Sequence, residues 1–128
     1  MNATYQIGDL VTASYKTGGY IGEIAEAPSV HKAAVRILAV IKHPTQGDLH
    51  HPMDADVPFF HQRRALSFQE IALMPLHTIE PYSGEVPEYK QSLRQALQAD
   101  IEQLQAQNNR FSQRCLEELR LLEQEYSL

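Results

Sequence analysis

Four histidines, His43, His50, His51 and His61, fall within 19 residues, and Asp48, Asp54 and Asp56 lie among them. Imidazole and carboxylate together can bind zinc or another borderline ion. The spacing matches no metal-binding motif, however, and adjacent His50 and His51 point to different sides of an extended backbone. A polar loop whose imidazoles bond main-chain groups accounts for the same residues, so no metal or other cofactor is expected. Covalent chemistry has even less to work with. Cys115 is the only cysteine; it lies on an apolar helical stripe, where cysteine behaves as a small buried hydrophobe. No serine occupies a nucleophile elbow, and Gly18-Gly19 is not followed by the Gly-Lys-Ser/Thr of a phosphate loop. The expected activity is binding, without catalysis.

The residues best suited to binding follow the histidines. In Phe59-Phe60-His61-Gln62-Arg63-Arg64 the two phenylalanines cannot both face one core if the chain is extended, because neighbours alternate. One is left for the surface or for a covering helix. Aromatic residues and arginine are the usual anchors of protein interfaces. The expected partner surface is therefore His43, Asp48, His50, His51, Phe59, Phe60, His61, Arg63 and Arg64. An intramolecular seat for the C-terminal tail is the competing use of the same segment.

The elements that must position these residues are of two kinds. Leu10 to Tyr15 alternates apolar and polar residues, a period of two that fits a half-buried strand. Lys16-Thr17-Gly18-Gly19 then reads as a hairpin turn, with glycines able to take positive φ. A second strand follows from Tyr20 to Glu26, with Gly22 at a bulge or tight bend, and residues 33–41 make a third. The prolines, glycine and aspartates of residues 43–58 mark a long inserted loop, of the sort that often carries function. Residues 70–74 and 78–82 read as closing strands separated by Pro75. The expected class is α+β: a small SH3-like β-barrel over residues 1–82 with the histidine-rich loop inserted, then a linker at 83–87. Beyond the linker the period changes to helical, giving an amphipathic tail at 88–128. Asn108-Asn109 divides it into a hairpin of helices at 88–107 and 110–126; one long helix is the alternative. The stripes of this tail can fold back on the strands, pair with a second copy as a homodimer, or dock on another helical protein.

Charge narrows the partners. The chain of 128 residues has a formal net charge of -5. Nine acids and six bases precede residue 88, and seven and five follow, so neither part offers the cationic face that phosphates require. Nucleic acid is not the expected partner. The alternative, an RNA- or ribosome-associated SH3-like module, would rest on the single dense basic pair Arg63-Arg64. No apolar run approaches a membrane span, the first residues do not resemble a secretion signal, and a lone cysteine suits a reducing compartment. A cytoplasmic protein without direct membrane insertion is expected.

Several phrases of the chain resemble the kinase-associated protein B family, also called kinase-associated lipoprotein B, of spore-forming Gram-positive bacteria. They are Tyr15-Lys16-Thr17-Gly18 with Tyr20-Ile21-Gly22-Glu23-Ile24, and His43-Pro44 with Gln46-Gly47-Asp48-Leu49-His50-His51-Pro52. Ala55-Asp56-Val57, Phe59-Phe60-His61, Arg63-Arg64-Ala65-Leu66, Pro81-Tyr82 and Ser92-Leu93-Arg94 continue the likeness through most of the sequence. The resemblance implies an accessory role beside a membrane sensor histidine kinase that feeds the sporulation phosphorelay. The partner implied is that kinase or a protein controlling it, and no catalytic residues are carried over. A lipid anchor would need an N-terminal signal ending at a cysteine. Neither is present in this sequence, so membrane association is expected through the kinase. None of the loop histidines lies in the helical setting of a kinase phosphoacceptor.

Overall fold

The computed structural model describes residues 4–128. Strands β1 (Leu10–Tyr15) and β2 (Gly18–Ile24) form an antiparallel hairpin in register Tyr15↔Gly18 to Leu10↔Glu23. The turn differs from the expected one. Its left-handed residue is Lys16, at φ 53, while Gly18 and Gly19 are already in β2. Glycine is needed at 18 for space: a Cβ there would lie 2.5 Å from the Tyr20 hydroxyl oxygen. Gly22 does mark an irregularity, since the β2–β3 register shifts between Ile21 and Gly22. A Cβ at 22 would come within 2.5 Å of the Arg36 carbonyl oxygen and of Val35 Cγ1. The missing side chain lets the sheet curl.

The third strand, β3 (Lys32–Lys42), pairs with β2 and with β4 (Ile71–Pro75). Pro75 is the last residue of β4 instead of a separator, because at an edge its missing N–H costs no ladder bond. A single 3-10 turn, Leu76–Thr78, leads to β5 (Glu80–Pro81), which pairs with β1. The sheet order is β4-β3-β2-β1-β5, all antiparallel, with β4 and β5 as open edges. The class is therefore α+β, but among the described residues the hydrogen-bonded ladder does not close into the expected barrel.

Two helices complete the chain, α1 (Tyr89–Gln107) and α2 (Arg110–Tyr126). The break between them is the asparagine pair. Asn108 ends α1 in the left-handed conformation, φ 47, and Asn109 caps α2 by accepting from Ser112 N–H, while Ser112 Oγ accepts from Asn109 N–H. That reciprocal box satisfies two orphan donors. Leu93 and Ala96 of α1 join the buried cluster of the sheet, with Val11, Tyr20, Ile24, Val35, Ile37 and Met74. Ser92 Oγ accepts from Val40 N–H at 2.9 Å, fixing α1 to β3. Leu97, Ile101, Leu119 and Leu122 form the seam between the helices. The amphipathic stripes thus find their cover within the chain, which is the main source of stability for such helices.

Candidate functional site: an inserted loop locked to the C-terminal helix

Residues 43–66 cross from β3 towards β4 without a strand of their own, so their backbone must find partners elsewhere. Gln46 supplies many of them. Its side chain is buried; Nε2 donates to the carbonyls of Pro44 (3.0 Å) and Arg63 (2.9 Å), and Oε1 accepts from Arg63 N–H (2.9 Å). Arg63 turns inward and donates to the carbonyls of Thr45 (3.1 Å) and Gly47. Thr17, in the β1–β2 turn, accepts from Thr45 N–H at 2.9 Å. The two ends of the loop are thereby tied together and to the sheet.

His43 is the deepest of the six histidines, fully buried. Nδ1 contacts the Pro44 carbonyl at 3.0 Å and Nε2 the Tyr126 hydroxyl at 2.9 Å. A carbonyl only accepts, so the proton is on Nδ1, and Nε2 accepts from the tyrosine. The Tyr126 oxygen in turn accepts from Ala65 N–H at 2.9 Å. This chain of bonds suits neutral imidazole alone, and burial pushes the His43 pKa down to about 4; the Pro44 carbonyl opposes that shift and the Lys42 charge adds to it. His43 contributes a lock to the loop and no surface.

The remaining segment lies along α2. Phe60 is half-buried, its ring 5.9 Å from that of Phe111 and 5.1 Å from the Arg114 guanidinium. Gln62 donates to Glu118 (3.1 Å), Arg64 to Glu125 (2.5 Å), and Arg110 to Asp56 (2.5 Å). Both arginines of the dense basic pair are engaged within the chain. Asp48 and Asp54 each accept from the backbone N–H two residues on, at His50 and Asp56, and so shape two Asx turns.

Exposed on this frame are His50, His51, Met53, Phe59 and His61. Phe59 is 73% exposed and stacks on His61, ring centroids 6.2 Å apart. The two phenylalanines do face opposite ways. Among the described residues no three His, Cys, Asp or Glu side chains gather as a metal group would require. Cys115 is buried, and burial first, then Asp100 and Glu118, pushes its thiol up to about 11. Of the expected surface residues, His50, His51, Phe59 and His61 share one exposed loop. His43 and Arg63 hold it from beneath, and Phe60 and Arg64 bind α2. Gln46 and Tyr126, which carry the loop, were not among the expected site residues. Tyr126 has the spacing of an ordinary stripe residue, and nothing local distinguishes it.

Comparison with known proteins follows this geometry. The family model described as "Kinase associated protein B" matches residues 15–127. The chain is 46% identical over 124 residues to kinase-associated lipoprotein B of Bacillus subtilis (strain 168), covering 97% of this chain and 96% of that protein. The crystal structure of kinase-associated protein B from Bacillus cereus superposes with a TM-score of 0.83 at 35% identity, over 98% of this chain and 100% of that one.

Proposed function

Since the chain belongs to the kinase-associated protein B family, we propose that it is a non-catalytic accessory protein of a sporulation sensor histidine kinase. It acts on the phosphorelay by protein–protein contact. The observation that supports this best is the exposed Phe59–His61 stack, held on a loop whose buried side-chain polar groups are satisfied from within. A large aromatic left in water on a well-braced support is the usual form of an interface anchor. His50 and His51 extend the same face, Asp48 sets its turn, and His43 and Arg63 fix its shape.

We read the sheet as SH3-like, because a 3-10 turn joins its fourth and fifth strands and the fifth returns to the first. The loop inserted between β3 and β4 and the helical pair then form one surface on that scaffold. We place its action at the cytoplasmic part of the kinase; no helix among the described residues is long and apolar enough to cross a membrane. That the Arg63 and Arg64 guanidiniums are already engaged favours a protein partner over RNA.

The test is binding of the whole chain to the purified cytoplasmic region of the sensor kinase, by interferometry. Retention is expected, with loss of about tenfold or more in affinity for Phe59→Ala. No binding of the wild type, or equal binding of Phe59→Ala, overturns the assignment of this face.

A further inference from the structure

The two edges of the sheet are not alike. β5 presents Glu80 and Pro81, a charge and a residue without an N–H, which is how natural edges resist pairing. β4 presents Ile71 and Leu73, 51% and 57% exposed. The hydrogen bonds fix which way its backbone faces. Ile37 N–H donates to Glu70 O (2.9 Å), and Leu76 N–H donates to His31 O (2.8 Å). Both pairs continue the register Val35↔Ala72 and Ala33↔Met74. In an antiparallel ladder these are the hydrogen-bonded pairs, so the residues between them, Ile71 and Leu73, aim N–H and C=O away from β3. Among the described residues no strand is hydrogen-bonded on that side, although β1 approaches β4 through the shared core.

We propose that β4 pairs with β4 of a second copy of this chain across a two-fold axis through Ala72. The match is self-complementary. With Ala72 opposite Ala72, Ile71 of each copy faces Leu73 of the other, and each such pair exchanges both backbone hydrogen bonds. The register cannot slide far, because Gln69 is left-handed at φ 67 and Pro75 has no N–H. Charge permits it: no charged side chain occupies an outward ladder position, and Arg36, beside Ile71, is already paired with Glu23 at 2.9 Å. One short strand per copy covers far less than the roughly 1,200–2,000 Å² of a stable interface, so the dimer is weak and concentration-dependent.

Sedimentation equilibrium of the full chain from micromolar to millimolar concentration should show monomer passing to dimer. Leu73→Lys, at an exposed position that leaves the fold intact by circular dichroism, should weaken the dimer by about tenfold or more. In a Cys115→Ala background, Ala72→Cys should oxidise to a covalent dimer, whereas Ser83→Cys should not. A chain that stays monomeric throughout, a dimer indifferent to Leu73→Lys, or equal crosslinking from both cysteines overturns the proposal.

Discussion

Acid should loosen this protein through one side chain. His43 is buried and neutral in the fold, with its pKa lowered from 6.5 to about 4. Above pH 6.5 both folded and unfolded forms hold it neutral, and its contribution is fully present. Between pH 6.5 and 4 the unfolded chain takes up a proton that the fold refuses, so stability falls as pH falls. At about 1.4 kcal/mol per unit the full loss is roughly 3 kcal/mol, of which about 2 kcal/mol has gone by pH 5. The perturbation is His43→Gln, whose amide can donate to the Pro44 carbonyl and accept from the Tyr126 hydroxyl without titrating. Urea unfolding followed by circular dichroism at pH 7, 6 and 5 gives the slopes. Asp100, whose carboxyl burial raises, pulls the opposite way in both proteins. The result is therefore the difference between the two curves. Wild type should lose about 2 kcal/mol more than the variant between pH 7 and 5; parallel curves would refute the His43 assignment.

Four substitutions test other parts of the frame. Gly22→Ala places a methyl 2.5 Å from the Arg36 carbonyl oxygen and should cost about 3 kcal/mol or abolish folding, read by thermal melting. Gln46→Ala strands the N–H and the carbonyl of Arg63, while Pro44 O keeps its bond from His43; urea denaturation should show a loss of about 2–3 kcal/mol. Asn109→Ala removes the α2 cap and should cost about 1 kcal/mol by the same measurement, with hydrogen exchange accelerated at Ser112. Phe59→Ala should leave stability within about 0.5 kcal/mol, since its ring is 73% exposed; a larger loss would make Phe59 part of the core.

What could be read in the sequence was what neighbouring residues decide. Alternation in Leu10–Tyr15 and the branched run before His43 located β1 and β3 within a residue or two. The stripes of α1 and α2, interrupted by two asparagines, gave both helices nearly to their ends. The last strands were harder, because Pro75 looks like a breaker unless its position at an edge is known. The openness of the sheet depends on pairing across the molecule, which no local pattern contains. The loop shows the same division. Its insertion and the opposed phenylalanines follow from composition and alternation. The burial of His43 does not, since a histidine before proline reads as surface until a tyrosine 83 residues away is brought to it.

That long separation bears on the order of assembly. Closing so large a loop is entropically slow relative to forming the β1–β2 hairpin or the α1–α2 turn, whose contacts are local. The bond between His43 and Tyr126 is therefore expected to form after the folding barrier and to break before that barrier is reached in unfolding. Weakening it should leave the folding rate unchanged and speed unfolding, the signature of a low-φ contact. On that expectation an imidazole and a phenol that meet last lengthen the life of the native state, and with it the time for which Phe59 is held in place.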